Sequence, residues 1–183
     1  MTATSLLVRP SPVYRESYLA ALREGFNGPA DAPMAAGRIA AIADDFETHL
    51  SRLDNDGQGT FEEAGRTLTY VPSNTFWLVD GGQFVAAASI RARVDTHILA
   101  YFGGHVGYGV RPAMRGRGYG KRLFAESLKV CRGMGIGIAR VSCAEENIGS
   151  RRVIEANGGV LLRRCEATWY APLPYLLYEV MLV

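Results

Sequence analysis

The chain has 183 residues, 48% of them apolar, and a formal net charge of +2. That length and apolar share fit one domain with a proper core and exclude wholesale disorder, while so small a charge gives no reason to expect nucleic acid as a partner. No apolar run approaches the length of a membrane span, and residues 1–30 lack a basic stretch followed by an apolar block, so a cytoplasmic location and no membrane are expected.

Residues 12–55 carry two helical stripes, broken by Gly28, Pro29 and Pro33. Tyr18, Leu19, Leu22 and Phe26 form the first, Ile39, Ile42, Ala43, Phe46, Leu50 and Leu53 the second, and both should pack on a sheet. The run Asp54-Asn55-Asp56-Gly57-Gln58-Gly59 looks superficially like a calcium loop. Its twelfth position is Gly65, where a bidentate Glu would be needed, so a polar loop without metal is expected. From Thr75 the period changes to two. Residues 76–79 and 84–94, joined at Asp80-Gly81-Gly82, predict a hairpin with one wet face. Residues 97–101 and 104–110 predict further strand, Gly118 to about Met134 a helix, and 139–143 a strand parallel to the one before that helix. Gly133, Gly135 and Gly137 sit at the helix exit, where capping and a turn explain them. Residues 147–157 predict a second crossover helix, ended by Gly158-Gly159, and strands are expected near 160–164 and 175–183, with Pro172 and Pro174 between them. Cys131, Cys143 and Cys165 lack metal-ligand spacing and read as small core residues.

The stretch 108–123, YGVRPAMRGRGYGKRL, joins a strand to a helix through a loop suited to phosphate. Gly116, Gly118 and Gly120 alternate with Arg117, Tyr119 and Lys121, so amides can approach a ligand closely while side chains add positive charge. Leu123, Phe124, Leu128 and Cys131 then share one helical face, which puts the glycines at a helix N-terminus, where free N–H groups and the macrodipole favour an anion. A diphosphate is the natural guest. The nucleotide-triphosphate loop fails, because Arg115 and Arg122 stand where it needs Gly and Ser or Thr, and G-x-G-x-x-G fails at Lys121 and Leu123.

What remains is Arg115-x-x-Gly118-x-Gly120, preceded by Val110-Arg111-Pro112 and followed by Asn147 and Ser150. Over residues 76–159 this resembles the acyl-CoA pyrophosphate loop of the GNAT superfamily of N-acyltransferases. The resemblance implies an α/β fold: a central mixed, mostly antiparallel sheet with one splayed parallel strand pair, flanked by helices. It implies one domain over 1–183, with 1–74 helical and on the acceptor side and 75–183 forming the acetyl-CoA-binding core and C-terminal strands. Acetyl-CoA would be the co-substrate, with no metal, and an amine-bearing acceptor would attack the thioester directly. The pantetheine arm would pair with Tyr108, Gly109 and Val110. The amides of Arg115, Gly116, Arg117, Gly118, Tyr119, Gly120 and Lys121 would hold the pyrophosphate, and Asn147 and Ser150 would contact the arm or its phosphates. Arg117, Lys121 and Arg152 would meet the nucleotide 3′-phosphate.

Such enzymes often carry a carboxylate on the strand before the loop, but here the strand offers Gly104, His105 and Tyr108. His105 is the candidate base, although alternation puts it opposite Gly104, Val106 and Tyr108. The tyrosine that many of them place seven residues after the asparagine is Ile154 here, so Tyr170 is the candidate acid. The acceptor stays open among amino acids, polyamines, aminoglycosides and protein amines, and a homodimer is compatible with the sequence. Two other readings stand beside this one: a non-catalytic acyl-CoA-binding or regulatory module, and a nucleic-acid-binding domain using the cations between Arg115 and Arg122.

Overall fold

The computed structural model describes residues 5–27, 34–54, 58–63, 66–94, 99, 103–168 and 173–182. In chain order the elements are β1 (Leu6–Val8), α1 (Arg15–Arg23), α2 (Ala36–Asp44), α3 (Phe46–Ser51), β2 (Thr60–Glu63), β3 (Arg66–Thr69), β4 (Ser73–Asp80), β5 (Gln83–Arg91), β6 (Val106–Val110), α4 (Tyr119–Gly133), β7 (Ile138–Ala144), α5 (Ile148–Glu155), β8 (Val160–Cys165) and β9 (Tyr175–Met181). None of the described helices is long and apolar enough to cross a membrane.

The second helical stripe is two helices, because Asp45 interrupts it. Its backbone leaves the helical region, and its side chain accepts a hydrogen bond from the Thr48 amide at 3.2 Å, starting α3 afresh. A short acidic side chain competes for backbone donors in this way at helix starts. Two elements were not foreseen: β1, which pairs antiparallel with β4, and the β2–β3 hairpin. The strand expected at 97–101 lies outside the described residues, Leu99 excepted.

The strands form a four-stranded sheet in the order β1-β4-β5-β6, a three-stranded sheet in the order β7-β9-β8, and the separate β2–β3 pair. Asp80 pairs with Gln83 across Gly81 and Gly82, whose φ values of 54° and 77° suit the tight turn of a two-residue hairpin. All the described ladders are antiparallel. The parallel pair expected between β6 and β7 is not among them; the two strands meet in a single antiparallel bridge, Gly104 to Val141, and then part.

The N-terminal helices cover one face of the four-stranded sheet, and α4 packs on its other face as well as on the three-stranded sheet. Tyr18, Leu19 and Leu22 of α1, with Phe26, Ile39 and Phe46, bury against Trp77, Val79 and Phe84, and the Tyr18 ring stacks on Trp77 at 4.6 Å. On the opposite face Phe124 and Cys131 of α4 and Ile154 of α5 pack with Ile90, Val106, Val141, Tyr178 and Val180. Burying side chains of this size contributes about 1.5–3 kcal/mol each. All three cysteines are free and buried. Val160, Leu161 and Leu162 of the edge strand β8 remain largely exposed.

One ion pair links the N-terminal helices to the strand that matters most. The Arg111 guanidinium, immediately after β6, donates from Nε to both carboxylate oxygens of Glu24 at 2.9 and 3.1 Å and from Nη2 at 2.5 Å. The Arg111 side chain is 11% exposed and that of Glu24 30%. The hydrogen bond from Arg111 holds the Glu24 carboxyl below the usual carboxylate range. Because that pKa is depressed on folding, the stabilisation is complete above the ordinary value of 4.5 and disappears as pH falls through the lower folded value. Glu24→Gln is therefore expected to cost about 2–3 kcal/mol at pH 7. Urea titrations of both proteins should show that difference closing as the pH is lowered below 4.5; a constant difference would mean the pair is not its source.

Candidate active site

Gly104 and His105 mark the vertex at which β6 leaves β7. Gly104 has φ 76°, and a Cβ there would lie 2.3 Å from the Arg140 carbonyl oxygen, so only glycine allows the approach. His105 then serves both sheets: its amide donates to the Arg140 carbonyl at 2.7 Å, and its own carbonyl accepts from the Arg91 amide at 2.8 Å. Its ring closes the vertex, with Nδ1 accepting from the Arg140 amide at 2.9 Å.

Beyond the vertex, backbone alternation decides what β6 presents. The Arg111 amide donates to Val85 and the His105 carbonyl accepts from Arg91, so Gly107 and Gly109 also turn their backbone groups toward β5. Those of Val106, Tyr108 and Val110 face the other way, along the free edge of the sheet, into the gap that separates β6 from β7. Of these groups, the Val110 carbonyl accepts from Arg115 Nε at 3.2 Å. The gap is lined by an edge strand that offers donors and acceptors to any extended guest.

The gap ends at the loop before α4. Gly116 and Gly118 have φ 74° and 83°, and Gly118 is the N-cap of α4 without a side-chain cap. The first bond of the helix runs from the Arg122 amide to the Gly118 carbonyl at 3.1 Å. Among the described residues, no protein acceptor is recorded against the amides of residues 116–121. Gly116, Arg117, Gly118 and Lys121 are exposed. Gly120 has a different reason to be glycine: a Cβ there would press on Val153 and Val110 at 3.3 and 3.4 Å, so it lets α4 start close to β6 and α5. The Tyr119 side chain turns away, donating from its hydroxyl to Asp80 at 2.5 Å, so only its backbone faces the loop.

Across the gap, Asn147 caps α5 by accepting the Ser150 amide at 2.9 Å. The Tyr108 ring packs on Phe124, and its hydroxyl meets Ser150 Oγ at 2.8 Å, bridging the base of the gap from β6 to α5. Burial pushes the phenol well above its ordinary range, so it stays protonated. Burial likewise pushes the nearby Cys143 thiol up to about 11, which makes it a poor nucleophile. Arg152 is exposed on α5. Thus the structure brings Tyr108, Val110, the 115–121 loop, Asn147 and Ser150 around one gap, whereas Gly109, expected to pair with the arm, turns its backbone groups into the ladder with β5. Tyr170 lies outside the described residues. An open hollow of about 150 Å³ between Glu145, Glu146, Leu173 and Pro174 lies past the end of β7; its carboxylates suit no diphosphate.

His105 does not have the geometry of the base expected of it. With Nδ1 accepting an amide proton, the neutral ring carries its hydrogen on Nε2 and has no lone pair left for an ammonium proton. Burial, then the charge of Arg140, also lowers its pKa. It is a fastener at the vertex. Sequence reasoning missed the Arg111–Glu24 pair, whose partners are 87 residues apart, and the Tyr108–Ser150 bridge. Nothing in local pattern signals either.

Residues 40–158, more than half of the chain, match the model of the acetyltransferase (GNAT) family. No curated protein matches the chain. Among solved structures, a GNAT-family acetyltransferase of Bacillus anthracis is 12% identical with a TM-score of 0.63, covering 99% of this chain and 98% of that one. A Salmonella typhimurium protein described as an acetyltransferase, solved with its cofactor acetyl-CoA, is 13% identical with a TM-score of 0.56, over 98% and 94%. The ribosomal-protein-S18-alanine N-acetyltransferase of Escherichia coli is 12% identical with a TM-score of 0.56, over 98% and 94%. At these identities the likeness is one of fold.

Two of the left-handed glycines, Gly104 and Gly118, should respond differently to the same change. Gly104→Ala drives a methyl into the Arg140 carbonyl and is expected to cost about 2–4 kcal/mol. Gly118→Ala meets no atom within 4 Å, so only the left-handed backbone penalty of about 1–2 kcal/mol remains. Urea midpoints that rank the two in the reverse order would contradict the role given to the vertex.

Proposed function

Because this chain belongs to the acetyltransferase (GNAT) family, we propose that it moves an acetyl group from acetyl-CoA to a primary amine by direct attack in a ternary complex. The observation that carries this reading is the continuity of the free β6 edge with the open amides of residues 116–121. A ligand with an extended amide arm and a diphosphate matches both ends of that path. Arg117, Lys121 and Arg152 are suited to the nucleotide 3′-phosphate. Acetyl-CoA in the related Salmonella fold is consistent with the same use.

In this mechanism the diphosphate anchors at the start of α4, where partial positive charge and free N–H groups meet it. The arm pairs with the backbone of Val106, Tyr108 and Val110. The amine attacks the thioester carbonyl carbon, and a strand amide stabilises the oxyanion that forms. The carbon–sulfur bond then breaks, and the thiolate takes a proton. Since His105 has no free lone pair, the amine's own proton passes to solvent. Tyr170 is the assigned donor to the thiolate, with water as its replacement. The protein works as a cytoplasmic enzyme, and the N-terminal helices wall the amine site.

One observation favours a non-catalytic acyl-CoA-binding module instead: the site lacks a free base among the described residues, and Ile154 carries no hydroxyl. Release of free CoA from acetyl-CoA in the presence of an amine panel decides between the two.

Acetyl-CoA should bind in the low micromolar range, and at one hundred times Kd it should stabilise the fold by about 2.7 kcal/mol. Gly118→Glu is expected to abolish that shift, by placing a side chain and a negative charge where the diphosphate meets the backbone. Unchanged affinity in a folded Gly118→Glu protein would remove the site. For the acid, Tyr170→Phe should lower turnover about 10²-fold with acetyl-CoA affinity intact. A fall of less than about threefold would leave water as the donor.

A further inference from the structure

Arg91 is a partly buried cation, and among the described residues no carboxylate pairs with it. It ends β5 directly beside the vertex, its amide bonded to the His105 carbonyl. Among the described residues, its guanidinium has one hydrogen-bond acceptor, the Gly104 carbonyl, at a long 3.5 Å. Arg111, Arg140 and Arg164 are differently placed: each has a carboxylate, from Glu24, Glu179 and Glu145 respectively. Arg140 and Arg91 both act to keep the His105 ring neutral. Burial also pulls the Arg91 pKa down. Holding a cation partly out of water without an opposite charge has a cost that a ligand anion would offset.

The position is suggestive as well. From Val106 to Val110 the free edge runs about 13 Å at the usual rise per residue. A guest anchored by its diphosphate at the α4 end therefore carries its acyl group toward the vertex, and the attacking amine must arrive near Arg91. Along the sheet face that Arg91 shares with Ser89 and Ala87, His105 stands opposite Arg91 and the next positions of the neighbouring strand are Gly107 and Gly109. Beyond His105 these two glycines raise no side chain, which leaves room for a small acceptor.

We propose that Arg91 anchors a carboxylate on the acceptor, so that this chain acts on amino carboxylates such as amino acids rather than on polyamines or aminoglycosides. The inference rests on the acetyl-transfer reading above. A single planar guanidinium fits a carboxylate through paired N–H···O bonds. A polycationic acceptor would bring more positive charge to Arg91 and Arg140.

The test uses matched acceptors: L-glutamate, L-methionine and L-phenylalanine, each with its carboxamide, and spermidine. Acetyl-CoA binding is measured first, by thermal shift, for the wild type, Arg91→Met and Arg91→Lys. All three should bind it equally, which separates this inference from the site assignment: loss of acetyl-CoA binding in the wild type would sink that reading instead. CoA release with the best amino acid should then show KM raised about tenfold to a hundredfold in Arg91→Met, little change with its carboxamide, and partial recovery in Arg91→Lys. The unfolding temperature of ligand-free Arg91→Met should stay level or rise, since an unpaired charge has been removed. Stabilisation of the wild type by the amino acid alone, absent in Arg91→Met, gives a second readout that needs no turnover. The inference is overturned if spermidine is preferred, if no carboxylate is favoured over its amide in either readout, or if Arg91→Met affects both members of a pair equally and unfolds earlier.

Discussion

The parting of β6 from β7 is the constraint on which the rest of the molecule depends. It is achieved at two residues. The left-handed backbone of Gly104 turns the chain so that the amide of His105 faces one sheet and its carbonyl the other, and the imidazole ties the Arg140 backbone a second time, through its amide. After that point the two strands follow different sheets. An unpaired strand edge is ordinarily a liability. Here α4 packs across β5 and β6 and begins where the gap ends, so a helix start stands beside the unpaired edge.

The electrostatics follow from the same geometry. α4 and α5 both start near the mouth of the gap, and both direct N-terminal amides there, one set open and the other closed by Asn147. Glu24, Glu145 and Glu179 are each held by an arginine. The exposed cations of the loop lie at one end of the gap and Arg91 at the other. A guest with an anion at each end of a neutral arm matches that distribution better than a cation does.

The half of the chain from Thr75 onward was legible because its elements are long and sharply punctuated. The α4 start was fixed by alternating glycines, the α5 start by Asn147, and the β4–β5 turn by Asp80-Gly81-Gly82, and each of these lies where local backbone chemistry demands it. What escaped notice was either short or distant. Three residues of β1 carry no period, and the β2–β3 hairpin is a small pair apart from both sheets. Asp45 hides in an unbroken apolar stripe and shows itself only through its cap. In the site, the loop glycines were readable but their reasons differ: conformation at Gly116 and Gly118, packing at Gly120. The roles of His105 and Tyr119 could not be read, since each depends on a partner 35 or more residues away, Arg140 for one and Asp80 for the other. The pairing state of Arg91 is likewise a property of the folded neighbourhood, invisible in the string Ile90-Arg91-Ala92.

The alternation of backbone groups along β6 has a kinetic consequence. Gly107 and Gly109 lock their amides into the ladder with β5, whereas Val106, Tyr108 and Val110 point theirs into the gap. Within one strand of five residues, protection against solvent deuterium would then rise and fall with every step, slow at the glycines and fast at the three side-chain-bearing positions between and around them. A ligand that completes the edge would erase this two-residue rhythm without moving the strand. Occupancy of the gap is in that sense written in the exchange of three amides.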